Sequence, residues 1–375
     1  MIQGGIPIGK VFGISIRLHY SWFLIFALIT WALTSSYFPG IHPTWTMATS
    51  ITAGILTSLL FFGSVLLHEL AHSRVALAEG YKVQSITLFV LGGVSSIVDE
   101  PKKAIDEFRM AVAGPLTSLV LGGIFLAIWA STRDTAPFVS AVSQWLGIIN
   151  LSLGVFNLIP GFPLDGGRVL RSLIWWGTRN LQKATRIAST IGRGFGWLGI
   201  FVGVYLIFTG NWFNGIWFAL IGWFLESAAS GSYRQMLVQE MLQGHTAGEI
   251  MTRECASVSP DITVEQLVNE NIMTSGRRCF PVVANGGLQG LVTLDNVRAI
   301  PRDRWNRTSV KEAMTSLKTL KSVDPNEDLS SVLKTMVEAD INQVPVVVDN
   351  KVMGMVTRDN ILNFISVRSA LGGGK

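Results

Sequence analysis

Leu59-Leu60-Phe61-Phe62-Gly63-Ser64-Val65-Leu66-Leu67-His68-Glu69-Leu70-Ala71-His72 is the stretch on which the fold turns. Two histidines and a glutamate close an apolar run that could cross a bilayer, and no Asp, Glu, Lys or Arg stands between Arg17 and Glu69. A hydrocarbon layer of about 30 Å needs roughly 20 such residues as a helix. A carboxylate inside a span costs about 2.5–3.5 kcal/mol on insertion scales, so Glu69 is expected to have a function. On a helix, positions i and i+4 share a face. His68 and His72 can therefore hold one Zn2+, with Glu69 beside it as general base. The alternative is a pair of interfacial histidines and a glutamate paired with Arg74.

Working outward, six stretches are apolar enough to span, at about 20–36, 51–75, 108–131, 136–160, 190–209 and 211–229. The first is too long for a secretory signal and lacks a small-residue cleavage site. Only 15% of the 375 residues are charged and 49% are apolar, which excludes a disordered chain and a disulfide scaffold. The charge is uneven. Residues 1–232 hold 14 Lys/Arg and 9 Asp/Glu, whereas residues 233–375 hold 16 of each. Eleven of the twelve tryptophans lie in the front part, as interfacial anchoring requires. The net charge of +5 thus belongs to the membrane part and calls for no nucleic-acid partner.

Basic residues gather at alternate connections. Lys10 and Arg17 precede the first span, Arg74, Lys82, Lys102, Lys103 and Arg109 follow the second, and Arg168, Arg171, Arg179, Lys183, Arg186 and Arg193 follow the fourth. The opposite connections hold only Arg133. The positive-inside rule then places both termini and the tail in the cytoplasm. Cys255 and Cys279, both in the tail and without metal-ligand spacing, agree with a reducing side.

A third zinc ligand should lie at the depth of His68 and His72. The fourth span runs in the same direction as the second and ends at Pro160, followed by Gly161-Phe162-Pro163-Leu164-Asp165-Gly166-Gly167. Proline and paired glycine break the helix and let the Asp165 carboxylate turn inward. Alone, Asp165 would read as a helix cap; together with the histidine pair it is expected to be a ligand. Gln84 to Val98 reads as two apolar strands around a glycine turn. This hairpin either offers an edge strand to an extended peptide or simply covers the site.

The tail is duplicated. Gly248-Glu249-Ile250-Met251 returns as Lys311-Glu312-Ala313-Met314, Phe280-Pro281-Val282-Val283 as Val344-Pro345-Val346-Val347, and Gly290-Leu291-Val292-Thr293-Leu294-Asp295-Asn296 as Gly354-Met355-Val356-Thr357-Arg358-Asp359-Asn360, at an offset of 63–64 residues. Asn285-Gly286-Gly287 and Asp349-Asn350-Lys351 supply hairpin turns.

Two family resemblances follow from these motifs. His-Glu-x-x-His at 68–72, Asn157-x-x-Pro160-x-x-Pro163-Leu164-Asp165-Gly166, Ala113-Gly114-Pro115 between them and Gly5-Ile6-Pro7-Ile8-Gly9 through Trp22 resemble the site-2 proteases, in the branch that carries CBS domains and lacks a PDZ insertion. The tail resembles a tandem CBS pair. The resemblance implies a polytopic α-helical membrane domain of about six spans with a membrane-associated β-hairpin over about 1–230, a connector at about 231–244, and an α/β CBS module at about 245–375 with repeats near 245–300 and 308–367. It implies an intramembrane zinc metalloprotease with one Zn2+ on His68, His72 and Asp165, and Glu69 as base to a water. Asn157 would meet substrate or the oxyanion, or else join spans by a hydrogen bond. Ala113-Gly114-Pro115 is expected to be a packing kink. The implied partners are the bilayer of a prokaryotic plasma membrane, a membrane-anchored protein with a transmembrane helix, and a second copy through the CBS pair.

Adenine nucleotide is the implied ligand of a CBS pair, through Thr293, Asn296, Thr357 and Asn360. This chain departs from the pattern there: Asn296 and Asn360 stand where Asp is usual, and Asp295 and Asp359 come one residue early. One step on a helix is about 100°, and a neutral amide lacks charge assistance. Weak or absent nucleotide binding is expected. Other classes would look different. A CBS-gated channel or transporter has no use for a His-Glu-x-x-His with a matched carboxylate, and a membrane zinc peptidase acting on soluble segments usually takes Glu or His as third ligand. An inactive relative would lack one of the catalytic residues.

Overall fold

The computed structural model describes residues 5–90, 92–97, 101–253, 256–277, 279–284, 287–316, 319–349 and 351–371. Cys255, the hairpin residues Asn285, Gly286 and Asn350, and Leu91 and Val98 of the expected apolar hairpin lie outside them. The chain forms two compact units, Met1–Arg234 and Gln235–Lys375.

The first unit opens with two strands, β1 (Ile6–Val11) and β2 (Ile14–Leu18), joined at Phe12-Gly13, both with positive φ. The alternation Ile14-Ser15-Ile16-Arg17-Leu18 explains β2: Ile14 and Ile16 are buried while Arg17 is exposed. Strands β3 (Val83–Phe89) and β4 (Gly92–Ile97) form the expected apolar hairpin, but it is not alone. β2 pairs with β3 in parallel, Ser15 opposite Ser85 through Leu18 opposite Leu88, giving a four-stranded sheet in the order β1-β2-β3-β4. Ile14 and Ile86 pack on Leu70, with Leu66 and Leu77 around them. The sheet is thereby seated on the turn that carries the histidine pair.

The helices follow from the apolar runs. α1 (Tyr20–Ala32) continues through a π-helical turn, Leu33–Tyr37, into the short α2 (Phe38–Ile41). α3 (Met47–Ala78) starts at Thr46, whose hydroxyl accepts from the Thr49 amide at 3.2 Å. α4 (Ala104–Thr132), α5 (Pro137–Asn157), α6 (Asp165–Thr178), α7 (Leu181–Phe208) and α8 (Trp212–Leu242) complete the unit and lead out of it. Among the described residues, five helical segments are long and apolar enough to cross a membrane: Tyr20–Ile41, α3, α4, α5 and α7. The sixth expected span lies within α8, where Asn214, Gly215 and Glu226 dilute the apolar content. The break expected near Pro160 separates α5 from α6 and places Asp165 at the first position of α6.

The second unit has two hydrophobic cores, one for each repeat. β5 (Cys279–Ala284) pairs antiparallel with β6 (Gly287–Thr293), and β8 (Gln343–Val348) with β9 (Lys351–Thr357). The segment ahead of each hairpin joins it through a single parallel bridge, Val258 to Val282 and Val323 to Val346. The opening segments are exchanged. Ala247 and Met251 pack in the core built around Val344 and Val356, and Thr252 bridges Met355. Val310 packs in the core around Phe280 and Val292, and β7 (Thr315–Ser316) pairs with β6.

Candidate metal centre

α3 puts His68 and His72 on one buried face, each 5% exposed, with their Nε2 atoms 3.2 Å apart. α4 fixes the other ring nitrogens. His72 Nδ1 lies 2.6 Å from the Met110 carbonyl, so it is the donor there and Nε2 keeps its lone pair. His68 Nδ1 is bonded to Ser118 Oγ at 2.9 Å, which likewise turns Nε2 inward. Asp165, brought by the start of α6, completes the group: its Oδ2 is 3.1 Å from His68 Nε2 and 3.2 Å from His72 Nε2. Three donors from a chain span of about a hundred residues thus lie within 4.8 Å of one another.

The donor set fits zinc. Two imidazole nitrogens and one carboxylate oxygen are ordinary catalytic zinc ligands. Ligands at about 2.0–2.1 Å in a tetrahedron lie about 3.3 Å apart, close to the three spacings observed. Space is the second requirement, and Gly114 meets it: a Cβ there would stand 2.6 Å from His68 Nε2 and overlap His72 Nε2. Ala113-Gly114-Pro115 was expected as a packing kink, and Pro115 does sit inside α4. Gly114, however, borders the ligand nitrogens. Its sequence signal was its place in the Ala113-Gly114-Pro115 motif, which said nothing of the histidines it would face.

Glu69 is half-buried and held by β4. Ser95 Oγ donates to Glu69 Oε2 at 2.7 Å and accepts from Ser73 Oγ at 3.2 Å. Gly93, two residues earlier, leaves room for the Glu69 stem: a Cβ at Gly93 would come within 3.0 Å of Glu69 Cδ. β4 is one of the two edge strands of the sheet among the described residues, β1 being the other. A further contact holds α6. Glu107, fully buried in the first turn of α4, accepts from Arg171 Nε at 2.7 Å and from Arg171 Nη2, with Arg168 Nε at 3.8 Å. Arg171 also lies over the Phe162 ring. Ser95 and Glu107 carried no local sequence signal, because each acts across elements far apart in the chain.

Asn157, the last residue of α5, donates through Nδ2 to the Leu153 carbonyl of its own helix at 3.0 Å. In the second unit, Thr293 and Thr357 cap the helices Leu294–Arg298 and Arg358–Ala370. Asn296 Oδ1 accepts from the Thr293 amide and hydroxyl at 2.9 and 2.8 Å, and its Nδ2 reaches Thr315 Oγ1 at 3.4 Å. Asn360 does the same with Thr357 at 3.0 and 2.7 Å and with Thr252 at 3.4 Å. Both amides are therefore engaged locally. Asn296 borders a cleft of about 1390 Å³ that is also lined by Thr293, Asp295, Thr357 and Asp359.

A two-histidine, one-carboxylate donor set with a glutamate beside it, built into membrane-type helices and joined to a duplicated α/β tail, defines a membrane-bound zinc metalloprotease with a CBS pair. The comparisons agree: the profile of peptidase family M50 matches residues 56–138 and 130–199, and that of the CBS domain matches 247–302 and 310–367. The chain belongs to the M50, or site-2 protease, family. It is 34% identical over 98% of its length, and 97% of the relative's, to a Synechocystis protein provisionally named a zinc metalloprotease. It is 31% identical to a zinc metalloprotease of Methanocaldococcus jannaschii, covering 96% of this chain and 95% of that one. The solved site-2 protease from Methanocaldococcus jannaschii matches at 30% identity with a TM-score of 0.43, over 62% of this chain and 96% of that chain.

Proposed function

We propose that this protein hydrolyses peptide bonds within transmembrane segments of membrane-anchored substrates, as the proteolytic step of regulated intramembrane proteolysis. The convergence of His68 Nε2, His72 Nε2 and Asp165 Oδ2 on one buried point carries this reading. These residues would hold one Zn2+ per chain, which supplies a Lewis acid for the scissile carbonyl and brings the pKa of an attacking water toward about 7. Glu69 accepts the proton of that water and returns it to the leaving nitrogen. Asn157 assists substrate or oxyanion once its amide turns from the Leu153 carbonyl.

A transmembrane helix must be unwound before its amides can be reached, and the outer edge of β4 offers backbone donors and acceptors for an extended segment. The basic connections support cytoplasmic termini, in a prokaryotic plasma membrane. The CBS pair serves as a cytoplasmic regulatory module and dimerisation surface, and it binds adenine nucleotide weakly, since Asn296 and Asn360 are spent on capping.

The test uses the full chain in liposomes with a fluorescent single-helix membrane reporter. Glu69→Gln should retain metal and lose cleavage, because an amide fills the space but takes no proton. Retained cleavage would remove Glu69 from the base role. A wild type active without zinc would remove the metal assignment.

A further inference from the structure

Two successive inward-facing positions of β4, Gly93 and Ser95, both meet Glu69. The first has no side chain and gives the carboxylate stem its room. The second contributes a hydroxyl. That hydroxyl accepts from Ser73, a buried α3 residue one turn beyond Glu69, and has a single proton to give. The proton goes to Glu69 Oε2 at 2.7 Å rather than to the Glu69 carbonyl, which lies at 3.5 Å. The chain Ser73 to Ser95 to Glu69 therefore has one direction, and Oε2 is its end.

We infer that Ser95 is a positioning residue: it fixes the Glu69 carboxylate to β4, so that the base and a peptide paired along the outer edge of that strand share one frame. A glutamate attached only to α3 would be free to turn about its side-chain torsions. With Oε2 held by Ser95, Oε1 is the oxygen that takes the proton from water. The inward face of β4 thus serves the base while its outer edge serves the substrate. Alignment of reacting groups in a common frame is a large source of rate, and a misplaced base lowers turnover without weakening strand pairing. The inference rests on the assignment of Glu69 as base.

The experiment measures kcat, KM and zinc-to-chain ratio for the full-length protein in detergent. Its probe is a synthetic single transmembrane helix with a fluorophore at one end and a quencher at the other. Wild type and Glu69→Gln set the limits; turnover by Glu69→Gln would overturn the base assignment itself, whatever Ser95 does. Ser95→Ala should lower kcat about ten-fold, the weight of one hydrogen bond to a charged group, with KM and zinc content unchanged. Ser95→Thr keeps the hydroxyl and should recover most of the loss. Wild-type kcat in Ser95→Ala would overturn the inference. So would a loss that appears in KM, a fall in bound zinc, or a Ser95→Thr variant as impaired as Ser95→Ala.

Discussion

The imidazoles of His68 and His72 owe their orientation to α4. Ser118 Oγ and the Met110 carbonyl hold the Nδ1 atoms, and Gly114 keeps the opposite side open. Partners of this kind are worth about 10–100-fold in metal affinity. Ser118→Ala should therefore weaken zinc binding within that range, read by competition with a fluorescent chelator on the purified full chain. Gly114→Ala should act more severely, because its methyl group would occupy the space next to both Nε2 atoms. Metal analysis should find well under one zinc per chain, and full occupancy would show that α4 can draw back. The three residues proposed as ligands could be picked out in the sequence, since His-Glu-x-x-His and Leu164-Asp165-Gly166 stand as contiguous motifs. Gly114, Ser118 and Ser95 were not, because their meaning lies in what a neighbouring helix or strand brings against them.

At the scale of elements, α6 has one duty, to deliver Asp165 to a helix almost a hundred residues earlier. Leu170 of α6 packs on the cluster of Phe162, Ala188 and Ala229. Gly166 and Gly167 lie against the backbone of 158–162, and Arg171 is drawn onto buried Glu107. Removing one partner of a buried pair leaves the other charge uncompensated, at a cost of about 3–5 kcal/mol. Glu107→Gln should lower the thermal unfolding midpoint and loosen zinc together. A variant with unaltered zinc affinity would show that α6 is placed by packing alone. The long helices and the β3–β4 hairpin could be read from apolar runs and a glycine turn. The β1–β2 hairpin was not evident although Ile14, Ile16 and Leu18 alternate, because an alternation of five residues is a weak signal beside the long apolar run that follows it. The exchange of opening segments between the CBS repeats was equally hidden: self-similarity reveals a repeat, but not which copy a segment packs against.

For the whole molecule, orientation and catalysis are separable. Single cysteines near Pro43 or Thr135 should react with an impermeant reagent from outside the cell, and ones near Lys103 or Lys183 only after the cytosol is opened; the reverse pattern would invert the proposed topology. Calorimetry of the full chain with ATP, ADP and AMP should give millimolar or no binding, since the Asn296 and Asn360 amides already serve Thr293 and Thr357. Low-micromolar binding would mean that these caps open for a ligand. Cleavage of peptide bonds inside a membrane segment should depend on one zinc held by His68, His72 and Asp165. The most direct measurement is mass spectrometry of a single-helix reporter after incubation with full-length protein in liposomes, together with zinc analysis of the same preparation. One zinc per chain and a cut within the reporter's apolar stretch are expected, the cut being lost in Asp165→Ala together with the metal. A cut confined to the soluble flanks, or cleavage that persists in metal-free Asp165→Ala, would contradict this reading.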